Sequence, residues 1–249
     1  MLTAVAFFAL SGPLTADTRD LIDEEILANA KLAKISSLAE PTASTPEMRT
    51  LGRRLFFDPL LSGNKNISCA SCHDPSRGTG DGKPLSFGEG GDLLPRHTPP
   101  LYNLGQPFIH RLFWDGRVSQ RASGFRTPEP GLNGPNPALG EIAAALGSAL
   151  AVQTLFPMVN PSEMRGKPGS NDVADAPSNA GAWELLAQRI TADESYKKNL
   201  AETYPNVPLE KINIGHLAHA LAAHIGSAFD SRLTNWDRYL SGDTNAMSP

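Results

Sequence analysis

Ile67-Ser68-Cys69-Ala70-Ser71-Cys72-His73 is the stretch on which the reading of this chain turns. Two thiols three residues apart on one short helical turn can each add to one of the two vinyl groups of a haem, and the next residue then points its imidazole at the iron. These are the only two cysteines among 249 residues, so the second Cys pair of a structural zinc site is missing. A redox pair of the thioredoxin type would sit in a strand–helix frame, and no such pattern surrounds the motif. The expectation is one covalent haem c, held through Cys69 and Cys72, with His73 as the proximal iron ligand.

Working outward, residues 60–110 are rich in Gly and Pro and read as a long irregular segment suited to wrapping a flat cofactor. Upstream, Thr45 is placed to cap a helix that has Pro46 in its first turn, carries Met48, Leu51, Leu55 and Phe56 inward, and ends near Asp58-Pro59. Residues 17–35 repeat apolar positions at helical spacing, and 37–46 form a Ser/Pro/Thr-rich linker. Downstream, 121–138 read as a second loop and 139–156 as one helix with the stripe Ile142, Leu146, Leu150 and Leu155. Residues 157–180 are loop again. Helices at 181–190, 192–203, 209–229 and 234–240 dominate the end, with Thr191 and Glu194 at capping-box spacing. Strand patterns are almost absent. The fold class is therefore mainly α: a cytochrome c-like haem domain with long loops wrapping the haem, a single domain over 17–249.

Hydrophobic residues make up 40% and charged residues 19%, which places the chain among soluble globular proteins. The formal charge of −4 argues against nucleic acid, because phosphate binding needs a basic face. Val5 to Leu10 is an apolar run followed by small residues up to Ala16, the pattern of an export signal, although no Lys or Arg precedes it. The run is too short to span a bilayer, and nothing later looks membrane-spanning. A periplasmic location is expected, with no membrane span in the mature chain.

The sixth iron ligand decides the chemistry: a Met or His there makes an electron carrier, and an open position makes a peroxide or oxygen site. Met158, Met164, His97 and His110 are all available by composition, and spacing does not choose among them.

Several further segments, in this order, resemble the bacterial di-haem cytochrome c peroxidase family, which includes MauG. They are Leu51-Gly-Arg-Arg-Leu-Phe-Phe-Asp-Pro-Leu-Leu-Ser62 leading into Ile67–His73; Asp81-Gly82; Arg96-His97-Thr98-Pro99 with Asn103; Phe113-Trp114-Asp115-Gly116-Arg117; Leu150-Ala-Val-Gln153 with Pro157; Glu163-Met164; Phe229-Asp230; and Asp237-Arg238-Tyr239-Leu240 with Gly242-Asp243. The resemblance runs from about residue 48 to the end and covers the family's N-terminal, peroxidatic haem domain only. It implies a fragment or split product of a di-haem protein, working with a second-haem domain or polypeptide.

Carried over by position, the resemblance implies that Glu163 is the catalytic distal glutamate, against the plain alternative of a surface Glu at a helix start. Gln153, ten residues earlier, matches a distal glutamine, against a helix-surface Gln. Pro157 matches a pocket-wall proline, and Arg96 a cofactor-binding arginine. Trp114 matches the tryptophan between the two haems, against a core Trp, with Asp115 and Arg117 holding its turn. The position sixteen residues after His73, where some members carry a switching His ligand, is Glu89. No His switch is expected, and the iron is expected to be open, or bound by water or Glu89. Calcium is not expected, because His97 replaces an Asn of the calcium site. Residues 118–149 are longer than in the short peroxidases and read as an added loop or partner surface.

The function so implied is reduction of hydrogen peroxide with electrons from a small redox protein. The alternatives are a MauG-like oxidase that modifies a partner protein and a mono-haem electron-transfer cytochrome c. His216 and His219, at i and i+3, could chelate a metal, but with no acidic partner nearby they read as packed or solvated. Trp183 and Trp236 read as helix-packing residues.

Overall fold

A computed structural model describes residues 16–122, 124–133 and 136–247. The apolar run and the small residues read as an export signal, up to residue 15, lie outside them. The described residues divide into two compact units, one within residues 16–38 and 232–247 and one within residues 39–231.

In the smaller unit, α1 (Ala16–Leu32) and the short α9 (Asn235–Leu240) are the helices. Thr234 and Asp237 form a reciprocal cap at the start of α9, and Asp237 also accepts from the Leu38 backbone N–H at 3.0 Å. The Tyr239 hydroxyl, from a buried ring, donates to Asp23 at 2.6 Å.

The larger unit is helical around one core. Its helices are α2 (Pro46–Phe57), the haem-motif turn α3 (Cys69–Cys72), α4 (Pro137–Leu146), α5 (Ala149–Val159), α6 (Asn179–Ala192), α7 (Glu194–Thr203) and α8 (Ile214–Ala228). The Thr45 side chain accepts from the Met48 N–H at 3.2 Å with Pro46 behind it, as expected of that dipeptide. Leu51, Leu55 and Phe56 of α2 meet Leu217, Leu221 and Ile225 of α8 in the core. The two helices touch at Gly52, where a Cβ would run into the Ala220 carbonyl oxygen. Trp183 is fully buried and its indole N–H donates to the Leu155 carbonyl at 3.1 Å.

Three local expectations are corrected. The helix expected over 139–156 is two helices, α4 and α5, because Gly147 takes φ +71 and Ser148 caps a new start through the Ala151 N–H. Thr191 does not cap the next helix: its hydroxyl donates back to the Ala187 carbonyl at 3.1 Å, and Asp193 is the cap, accepting from the Ser195 N–H at 2.8 Å. The mainly helical reading holds and is corrected only locally, at β1 (Arg111–Leu112), β2 (Val118–Arg121) and β3 (Gly124–Arg126), which form a small antiparallel sheet in that order. Strands two to four residues long carry too few alternations to be read from hydrophobicity.

Candidate haem site

The motif turn is built so that both thiols share one face. Ser68 and Ser71 cap α3 reciprocally, with the Ser68 N–H donating to Ser71 Oγ at 3.0 Å. Cys69 and Cys72, at i and i+3, then project together, and neither is in a disulfide. Burial pushes the Cys69 thiol up to about 12; burial first, then the charges of Asp81 and Glu163, raises that of Cys72. Reactive redox cysteines are lowered instead, so these two thiols lack the electrostatics of a redox pair.

His73 closes the turn, and Nδ1 of its ring lies 3.0 Å from the Thr79 carbonyl oxygen. A neutral imidazole that donates through Nδ1 carries its lone pair on Nε2, the nitrogen left for a metal. Burial pulls the ring below its ordinary value, against the carbonyls of Thr79 and Pro99 and the Asp81 charge. Thr79 reaches this position at φ +63, a strained conformation for a β-branched residue. It is fully buried, and its Oγ accepts from the Leu101 N–H at 2.7 Å, which holds the strained turn in place.

The expected distal residues come from the α5 side. Gln153 and Pro157 are one turn apart on α5 and so share a face; the Gln153 Oε1 is buried without a partner among the described residues. Asn160 ends α5 and caps a π-helical turn, Pro161–Arg165, by accepting from the Ser162 N–H at 3.0 Å. Its amide donates to Glu163 Oε1 at 2.9 Å. Burial raises the Glu163 carboxyl above the ordinary range, opposed by the Arg117 charge. The Glu163 charge is also one of those that raise the Cys72 thiol on the motif turn.

The loop between them is anchored at both ends. The Phe87 carbonyl lies 3.8 Å from the Cys72 sulfur, and Gly88 packs so closely on the Ser162 carbonyl that a Cβ there would collide with it. Glu89 is buried, and its Oε1 accepts from Asn64 at 2.7 Å and Asn66 at 3.1 Å, while Oε2 has no partner among the described residues.

The remaining expected residues are placed as follows. Trp114, in the β1–β2 connection, is 70% exposed rather than in the core, and the Arg96 guanidinium lies 4.0 Å from its ring centre. Asp115 pairs with Arg117 at 3.3 Å. Of the possible sixth ligands, Met158 and Met164 are buried in the hydrophobic core, His97 has Nδ1 2.6 Å from the Lys83 carbonyl oxygen, and His110 is exposed. His216 caps α8, with the Asn213 N–H donating to its Nδ1 at 3.2 Å, and packs on Tyr204. Among the described residues no cluster of three or more His, Cys, Asp or Glu could hold a metal ion, and no helix is long and apolar enough to cross a membrane. The Thr79 carbonyl, Asn160 and the Asn64–Asn66–Glu89 clamp escaped the sequence reading. Asn160-Pro161 is a turn signal and could have drawn attention to the first of the distal supports.

The donor set suits a c-type haem: two protonated thiols on one face, an imidazole with Nε2 available, and a buried amide oxygen at Gln153 with no partner among the described residues. A mainly helical domain with this motif turn defines a cytochrome c-type haem protein. The family model for di-haem cytochrome c peroxidases matches residues 46–245, and the chain belongs to that family. It is 40% identical over 128 residues to the methylamine utilization protein MauG of Methylorubrum extorquens, covering 50% of this chain and 35% of that protein. It is 34% identical over 220 residues to MauG of Methylophilus methylotrophus, covering 88% of this chain and 51% of that one. Among solved structures, a MauG-like protein associated with microbial copper homeostasis aligns over 83% of this chain and 49% of its own, with a TM-score of 0.53 and 25% identity. The chain thus spans about half or less of the length of these relatives.

Proposed function

We propose that this chain is the peroxidatic haem domain of a c-type cytochrome peroxidase, reducing hydrogen peroxide with electrons from a small redox protein in the periplasm. The observation that supports the reading is the Glu163 carboxyl: half-buried, held by Asn160, raised above its ordinary range, and on a turn tied to the Cys72 turn through Phe87 and Gly88. Cys69 and Cys72 would hold one haem c and His73 would ligate its iron, which supplies the redox chemistry when bound. Glu163 takes a proton from one peroxide oxygen and returns it to the other, so that the departing oxygen leaves as water. Its raised pKa suits this, since a carboxylate that holds a proton more tightly is a better proton acceptor than an ordinary glutamate. Gln153 would orient the peroxide through its amide, and Pro157 would wall the same face. Trp114 and Arg96 form the exposed aromatic–cation pair through which electrons enter. A second-haem domain or polypeptide completes the electron path.

Glu163→Gln should keep haem attachment and lower the peroxide turnover rate by about 10²–10⁴-fold. Turnover at the wild-type rate with intact haem would remove Glu163 from the mechanism. A MauG-like oxidase acting on a partner protein is the second reading, favoured by the 40% identity to MauG and by Glu89, tied to two asparagines, at the position of a switching His. Mass changes in a co-expressed partner after peroxide addition would separate it from the first.

A further inference from the structure

The small sheet has two unlike faces. Arg111 is paired with Ser119 and Ser119 with Arg126, while Arg121 lies two residues along β2 from Ser119. Directly paired residues, and residues two apart on one strand, project to the same side. One face therefore presents Arg111, Arg126 and Arg121 around the small Ser119. The other carries Leu112, Val118 and Phe125 toward the core. All three arginines are exposed.

Nothing in the described part of the chain neutralises them: no carboxylate pairs with any of the three, and none of their guanidiniums donates to another group there. The single acid of this segment, Asp115, is occupied by Arg117. Residues 110–127 hold four arginines against that one aspartate, in a chain whose formal charge is −4. Like charges gathered on one sheet face repel one another, so a complementary surface has most to gain here.

The dimensions select the kind of partner. Arg111 and Arg126 stand two strand spacings apart, roughly 10 Å, and Arg121 is displaced by two residues, roughly 7 Å. A single small anion cannot reach all three, whereas a row of carboxylates on a protein can. Arg121 and Arg126 also border a groove of about 600 Å³ lined by Phe125, Leu132 and Ala143, which adds apolar surface beside the charge. Next to the face, the β1–β2 connection exposes Trp114 under Arg96. Trp and Arg are the residue types that dominate protein–protein binding energy. A polyphosphate would meet the same arginines by charge alone and would leave the groove and the exposed Trp114 without apolar partners.

We propose that the Arg111–Arg121–Arg126 face is a docking surface for an acidic protein partner. The assignment stands apart from the reaction performed at the haem site. The test is binding of the haem-loaded full chain to immobilised plant-type ferredoxin, a small and strongly acidic protein, at about 20 mM and about 200 mM salt, with a single-stranded oligonucleotide as a second probe.

Ferredoxin should bind at low salt and weaken at high salt. R111Q/R121Q/R126Q should bind about tenfold more weakly or worse, R111E/R121E/R126E should not bind, and K197E/K198E on α7 should bind as wild type. Should a triple variant lose its far-UV circular dichroism, R126Q alone should still weaken binding measurably. The proposal is overturned by absence of binding at low salt, by arginine variants that bind as wild type, or by an oligonucleotide that binds as tightly as ferredoxin.

Discussion

At the scale of single residues, the site depends on groups whose orientation is fixed by backbone atoms. The Thr79 carbonyl sets the His73 tautomer only because Thr79 stays at φ +63, and the Leu101 N–H donating to Thr79 Oγ is the bond that keeps it there. Thr79→Val keeps the shape and removes the hydroxyl, leaving a buried N–H without a partner. Unfolding by urea should show a loss of about 1–3 kcal/mol. An unchanged midpoint and slope would mean that the strained turn is held by something else. Glu163 makes a prediction of the same kind. Its raised pKa, caused chiefly by burial, implies that the acid limb of peroxide turnover lies above the ordinary glutamate value of about 4.3. Glu163→Gln should abolish that limb along with most of the rate; an acid limb surviving in the variant would assign it to another group. The proposed haem-holding residues Cys69, Cys72 and His73 can be picked out from the sequence because they are contiguous along the chain. The Thr79 carbonyl cannot, because a backbone oxygen has no sequence signature.

At the scale of elements, the helices around the site are set by packing that tolerates little change. Gly52 is the clearest case, since α2 and α8 approach until an added Cβ meets the Ala220 carbonyl. Alanine would gain about 0.5–1 kcal/mol of helix propensity over glycine, but a backbone carbonyl in a packed helix cannot rotate away, and overpacking costs about 1–3 kcal/mol. Gly52→Ala should therefore be destabilising on balance in denaturant titration, and a stabilised variant would show that the helices can separate at low cost. The start of α2 could be read from Thr45-Pro46 because a cap and a first-turn proline act locally. The break between α4 and α5 could not, because the apolar stripe Ile142, Leu146, Leu150 and Leu155 continues at helical spacing through Gly147 and conceals the turn. The sheet was missed for the opposite reason. Its strands are short and arginine-rich, and only their pairing makes one face cationic.

At the scale of the whole molecule, pH should act on stability mainly through buried histidines. His224 is almost fully buried between Phe56 and Phe229, with ring centres 5.3 Å and 5.8 Å away, and its Nε2 has no partner among the described residues. Burial first, then the Arg53 charge, depresses it to about 4. Its unfolded value is about 6.5, so the unfolded chain takes up a proton that the folded chain refuses between the two. Stability from this residue is complete above pH 6.5 and falls as pH drops toward 4, by about 3 kcal/mol in all. Burial lowers His216 and His219 as well, with the same sign. Glu163 works the other way. Its folded carboxyl holds a proton that the unfolded one releases, so it lends stability at low pH that is lost as pH rises through its raised value. Apart from His73, the proposed iron ligand, three histidines stand against one glutamate, which leaves a net loss on acidification with His224 as its largest single part. Unfolding free energies measured by urea titration between pH 7 and pH 4 should fall steeply in the wild type. In His224→Leu, which fills the same apolar site without a titratable group, the slope should be shallower by about 3 kcal/mol over that range. Equal slopes in the two proteins would mean that the ring gains a proton without leaving the core, and that its neutrality is not what the Phe56–Phe229 packing requires.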